Sequence, residues 1–286
     1  MNENNVILTG TPRSGTTLTC HLLNKLPDVL ALHEPIGVNR YQHLMPDHEA
    51  VAGGIGRFFN RQMRPLILEE GLAQTKHRAG EVPDNPFGSA ARGGASAGTS
   101  AKTGSRQSDL QKGRGAHNKE LSEEFTLVIK QPAMFSALLA ALAGRFPSYA
   151  IIRNPLSTLA SWNSVEIPLR QGHAHAAEKY DSSLPERLEG LDRHGRQLYM
   201  LSWFYERFEA NLPPENIIRY EDIVSSGGGT LSRIHSAASE LDEPLESKNK
   251  NPLYDGDETK AVAERLLASD GPYWRFYSTA EVETLL

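Results

Sequence analysis

Five short apolar runs punctuate the chain, at residues 6–10, 29–33, 126–130, 149–153 and 217–220. None alternates polar with apolar positions. Such runs suit strands covered on both faces, as in a parallel sheet. Helical patterns follow them. Residues 16–25 follow the first run. Residues 134–144 follow the third, with Gly144 as a stop. Residues 155–162 follow the fourth, where Pro155 suits a first helical turn. Leu198, Leu201, Tyr205, Phe208 and Leu212 recur at three- and four-residue spacing, predicting a long amphipathic helix over 193–212. Alternating strands and helices imply an α/β fold with right-handed crossovers. Functional residues are then expected at the C-terminal ends of the strands.

One stretch breaks this pattern. Residues 88–118 contain seven glycines and one large apolar residue, Leu110. Arg92, Lys102, Arg106, Lys112 and Arg114 face only Asp109 in charge. Without an apolar period the stretch buries too little surface to offset its ordering entropy. It reads as a mobile insertion, over about 80–120, in one domain spanning 1–286. A solvated loop or a basic flap over an anionic ligand would both suit it.

Composition narrows the function classes. The 286 residues are 39% hydrophobic and 23% charged, as in ordinary globular proteins. A net charge of −5 argues against a nucleic-acid binder. No apolar run approaches the ~20 residues of a transmembrane segment, and the first residues do not resemble a signal peptide. With Cys20 the single cysteine, no intrachain disulfide forms, and a cytoplasmic location is expected.

The most informative segment is Gly10-Thr11-Pro12-Arg13-Ser14-Gly15-Thr16-Thr17. It follows a predicted strand and opens a predicted helix. Converging backbone N–H groups, a helix dipole and threonine hydroxyls make such a loop an anion cradle. A phosphate loop of the G-x-x-x-x-G-K-[ST] kind would place lysine where Thr16 stands. No strand run ends in a clear magnesium-binding aspartate. The loop thus reads as a phosphate cradle without Mg²⁺–triphosphate equipment.

The run Pro12-Arg13-Ser14-Gly15-Thr16-Thr17 resembles the 5′-phosphosulfate loop of sulfotransferases that use 3′-phosphoadenosine 5′-phosphosulfate (PAPS). Arginine at position 13 is similar to the bacterial, Golgi-type and tyrosylprotein members. The resemblance implies a P-loop-like fold with a central five-stranded parallel sheet. It also implies PAPS as donor, adenosine 3′,5′-diphosphate as product, and no metal. Arg13, Ser14, Gly15, Thr16 and Thr17 would bind the 5′-phosphosulfate, and Arg13 would also act in catalysis by stabilising the transferring sulfuryl group and its leaving oxygen.

Other motifs extend it. Arg153-Asn154-Pro155 ends the fourth run, with Ser161 eight residues beyond Arg153. An arginine fork and a serine two turns into a helix can share one phosphate, and the family's 3′-phosphate motif has this form. His33-Glu34 closes the second run, and either side chain could take the proton of an acceptor hydroxyl. The tyrosylprotein enzymes carry a catalytic glutamate 21 positions after the loop arginine, which falls on Glu34 here. Burial would have to raise its pKa for useful basicity. Lys130-Gln131-Pro132 resembles the family's Lys-x-Pro motif, whose lysine stabilises the leaving oxygen. Residues 218–223 resemble its Arg-Tyr-Glu-Asp-Leu signature. Tyr220 would contact the nucleotide, and Glu221 and Asp222 would be structural.

The family's C-terminal Arg-Lys-Gly-x-x-Gly motif is absent, leaving Lys248, Lys250 and Lys260 as replacements. His173 and His175 lack a third partner at metal-ligand spacing, and Trp162 and Trp203 read as core. The resemblance covers residues 5–35, 126–165 and 195–225. The expected activity is sulfuryl transfer to a hydroxyl-bearing acceptor: carbohydrate, lipid, phenol or another small molecule. The alternatives are a P-loop kinase or nucleotide hydrolase, disfavoured by Thr16, and a catalytically silent nucleotide-binding protein.

Overall fold

The computed structural model describes residues 3–87, 106 and 108–286. The strands are β1 (Asn5–Gly10), β2 (Val29–His33), β3 (Leu72–His77), β4 (Gln111–Ala116), β5 (Thr126–Lys130), β6 (Ser148–Ile152) and β7 (Ile217–Arg219). Five of them form a parallel sheet of order β2–β5–β1–β6–β7. Central β1 pairs on both sides, Val6 with Val128 and Leu8 with Tyr149. Successive side chains of a strand face opposite ways. Ile7, Ile129 and Ile152 accordingly enter one apolar cluster, and Leu8, Val128 and Ile151 another. Both faces are covered, so the strands show no polar alternation. The expected α/β architecture is present.

Several boundaries shift. The helix after β1 is Thr16–Leu23, ending before residue 25. Residues 134–144 do not form one helix. Pro132–Ala137 and Leu139–Ala143 are separate, broken at Leu138. Arg153 lies just past the end of β6. β7 stops at Arg219, and Tyr220 opens the helix Tyr220–Ser225 instead of ending the strand. The amphipathic helix is Arg193–Asn211, with Leu201, Tyr205 and Phe208 fully buried. Trp162 and Trp203 are in the core.

The largest departure lies between β2 and β5. Helices His48–Phe58 and Arg64–Glu70, joined by a π-turn, are followed by an antiparallel pair of β3 and β4. β4 falls inside the stretch expected to be an insertion without order. Its Lys112 and Arg114 alternate with Gly113 and Gly115, and it buries little. Backbone pairing with β3, from Leu72↔Ala116 to His77↔Gln111, holds it in place. Residues 88–105 and 107 of that expected insertion lie outside the described residues. The pair packs on β2, where Thr75 Oγ1 accepts the His33 N–H at 2.8 Å. Among the described residues, no helix is long and apolar enough to cross a membrane. Cys20 is buried, which pushes its thiol up to about 12.

Candidate active site

The C-terminal ends of the five parallel strands open into a cleft of about 1030 Å³. Its lining brings together Arg13, Thr16, Thr17, His33, Glu34 and Lys130. Gly15, Arg153, Ser161 and Tyr220 also line it. The long-range contacts of the parallel sheet gather these separate motifs at one edge.

The loop after β1 is shaped by close approaches. At Gly10, with φ +146°, a Cβ would lie 2.3 Å from the Ile151 carbonyl oxygen. At Gly15, with φ +95°, it would lie 2.6 Å from the Tyr220 ring. Arg13 itself has φ +74°. Ser14 is fully buried, and its hydroxyl donates to the Ile151 carbonyl at 2.7 Å. Its side chain therefore ties the loop to β6, leaving Thr16 and Thr17 to supply hydroxyls to the cleft. Trp162 Nε1 donates to the Pro12 carbonyl at 2.7 Å, bracing the loop from the helix Pro155–Asn163.

Arg13 reaches that same helix. Its Nε donates to Ser161 Oγ at 3.2 Å, and its guanidinium lies 4.5 Å above the Phe87 ring. Burial, partly offset by Tyr254 and reinforced by Arg153 and Arg106, pushes Arg13 down to about 9. It stays cationic at neutral pH. Ser161 accepts this bond, so its own O–H remains to donate.

Arg153 lies over the Tyr220 ring at 4.8 Å. Its Nε donates to Asn249 Oδ1 at 2.8 Å and one terminal nitrogen to the Arg13 carbonyl at 3.1 Å. The other donates to the Lys248 carbonyl and to Tyr254 Oη. The segment 244–254 thus crosses the Arg153 end of the cleft. Its Lys248 and Lys250 line the cleft, whereas Lys260 does not. Tyr220 Oη accepts the Lys248 N–H at 3.0 Å. Glu221 accepts from Asn154 N–H, Asn249 Nδ2 and Tyr277 Oη. Those bonds tie the start of the helix Tyr220–Ser225 to Asn154, Asn249 and Tyr277.

The β2–β5 end is built differently. Glu34 has φ +50°, and its N–H donates to the Lys130 carbonyl at 2.8 Å. Its carboxylate sits among three nitrogen groups. Lys130 Nζ lies 3.2 Å and His33 Nε2 3.4 Å from Oε1, while Lys76 Nζ lies 2.5 Å from Oε2. Burial raises the Glu34 pKa. Lys130, the His33 hydrogen bond and Lys76 together outweigh it and hold the carboxyl well below its usual range. The raised pKa that useful basicity would require is therefore not met in the free protein. Burial lowers Lys130, against the opposing pull of Glu34. It also pushes His33 down to about 4, helped by Lys130. His33 is thus neutral at pH 7. Its Nδ1 and Gln131 Oε1 are buried with no partner among the described residues.

Lys76 was not among the sequence candidates. It comes from β3, a strand that no apolar run announced, and pairing with β4 places it. The fold also brings a further group to His173 and His175. Glu178 supplies a third ligand-type group.

No family model and no curated protein matches the chain. Several solved structures are similar, two sulfotransferases at low identity among them. A sulfotransferase domain from the curacin biosynthetic pathway is 15% identical, with a TM-score of 0.39, over 91% of this chain and 96% of that one. Sulfotransferase STF1 from Mycobacterium tuberculosis H37Rv is 14% identical, with a TM-score of 0.37, over 93% and 76%.

Proposed function

We propose that the protein is a PAPS-dependent sulfotransferase acting on a hydroxyl-bearing small molecule. The observation that carries the reading is the meeting of the Arg13 loop, Lys130 and Glu34 in one cleft. Cations stand there where a diphosphate-like leaving group needs them, with a carboxylate against one of those cations. At the loop, Arg13, Thr16 and Thr17 line the cleft and suit an anionic group there, while the glycines let the loop pack against Ile151 and Tyr220. At Arg153 a 3′-phosphate would compete with Asn249, the Lys248 carbonyl and Tyr254 for guanidinium donors. Binding there requires segment 244–254 to shift, and Lys248 and Lys250 would then be cationic partners within that segment.

PAPS would supply an activated sulfuryl group on the 5′-phosphate. The loop N–H groups, Arg13, Thr16 and Thr17 would hold that end. Arg153 and Ser161 would hold the 3′-phosphate. Lys130 would neutralise charge on the phosphate oxygen that departs as the sulfur–oxygen bond breaks. Glu34 would take the acceptor's hydroxyl proton as that oxygen bonds to sulfur. An anionic group beside Lys130 weakens the pull of that lysine on Glu34, raising the carboxylate's basicity when the donor is in place. Lys76 holds the carboxylate's other oxygen as a positioning residue.

Calorimetry with adenosine 3′,5′-diphosphate tests the reading. Saturable binding that weakens roughly ten- to a hundredfold in Arg13→Ala is expected. Binding of ATP–Mg²⁺ in its place would assign the loop to a kinase or hydrolase. Nucleotide binding without transfer to any hydroxyl in a broad acceptor panel would point to the silent alternative.

A further inference from the structure

The cleft lining also includes His173 and His175, which the reaction above does not use. His173 Nδ1 lies 3.2 Å from Glu178 Oε1, and His175 Nδ1 lies 3.2 Å from Glu178 Oε2. The two rings stack at 5.7 Å between centroids. All three ligand atoms fall within 4.8 Å of one another. Local geometry explains the convergence. A single helical turn, His175–Glu178, carries the carboxylate back toward its start. There Glu178 Oε1 accepts the Ala174 N–H at 2.8 Å, which fixes the carboxylate between the imidazoles.

Donor atoms bound at about 2.0–2.1 Å to one tetrahedral zinc ion lie about 3.3 Å apart. The two nitrogen–oxygen separations, one to each oxygen of the Glu178 carboxylate, are close to that edge length. Two imidazoles and one carboxylate suit a first-row divalent ion better than Mg²⁺ or Ca²⁺. The Ala174 N–H supplies the outer hydrogen bond that orients a ligating carboxylate. We infer that His173, His175 and Glu178 form a divalent-cation site in the cleft wall, with zinc as its natural probe. Three protein ligands leave a fourth position for water or for an oxygen donor of a molecule in the cleft. The site does not depend on the sulfotransferase reading.

Zinc titration of the tag-free full chain by calorimetry, with cobalt absorption spectra as a second probe, tests this. One equivalent should bind, with the tetrahedral cobalt spectrum of a nitrogen–oxygen site. His175→Ala and Glu178→Gln should each weaken binding about tenfold or more. His175 is exposed and glutamine can keep the Ala174 bond, so both variants should retain the thermal stability of the parent chain. Glu34→Gln, at the other cluster, should bind zinc normally. Absence of saturable binding, or parent-like binding in either ligand variant, would overturn the inference. Adenosine 3′,5′-diphosphate affinity, measured separately, reports on the sulfotransferase reading alone.

Discussion

The two ends of the cleft hold their charged groups by different means. At the β1–β6 end, backbone does most of the holding. Gly10 and Gly15 adopt conformations that exclude a Cβ, Ser14 is bound to the Ile151 carbonyl, and Trp162 to that of Pro12. At the β2–β5 end, side chains hold one another. Glu34 is set by Lys130, His33 and Lys76, from three different strands or their ends. A backbone cradle keeps its shape whether or not an anion is present. A cluster of coupled charges is reset by any new charge. The first arrangement suits binding, and the second suits a proton acceptor that becomes basic only beside the donor.

The largest expected effect separates those roles. Glu34→Gln should lower kcat by about 10²–10⁴-fold, the usual contribution of a general base. Affinity for adenosine 3′,5′-diphosphate should stay within a fewfold. Equal losses in both would break the division between the two ends. Arg13→Ala should do the reverse. Losing charge-assisted bonds worth about 1.5–3 kcal/mol weakens nucleotide binding roughly ten- to a hundredfold by calorimetry.

Gly15→Ala probes the backbone end directly. Strain at positive φ and the clash with Tyr220 should cost about 1–3 kcal/mol in urea unfolding. Parent-like stability would show that the loop yields more readily than its geometry implies. The smallest effect sharpens the side-chain end. Lys76→Met removes one cation that depresses Glu34, so the carboxyl pKa rises. The base must be ionised to work, so the acid limb of the kcat/KM profile should move to higher pH. The shift should be of order one pH unit or less, because Lys76 is partly exposed. An unmoved acid limb would remove Lys76 from the site.

The same contrast governs what could be read from the chain beforehand. Arg13 to Thr17 is a contiguous motif, and Arg153 with Ser161 is a short spacing on one strand end and one helix. Both were legible because the geometry they need is local. The sheet was legible because its strands are buried on both faces and stay apolar throughout. β4 was not, since Gln111–Ala116 is two-thirds glycine and cation and pairs through its backbone with β3. Lys76 went unseen for the same reason. Glu178 stands three residues after His175, a spacing present in the chain, but the helical turn and the Ala174 bond that bring its carboxylate to both histidines are tertiary detail.

Sequence alone determined the strand-loop-helix cradle, the apolar strands of an α/β fold and the candidates Arg13, Glu34, Lys130 and Arg153. Each depends on residues near one another in the chain, where stereochemistry and hydrophobic pattern act directly. Tertiary structure decided how those residues are charged and occupied. It set three nitrogen groups around Glu34, whose pull outweighs the rise that burial brings, and laid segment 244–254 across Arg153. Electrostatic energies depend on distances of a few ångströms between groups far apart in the chain. Only the folded arrangement sets those distances.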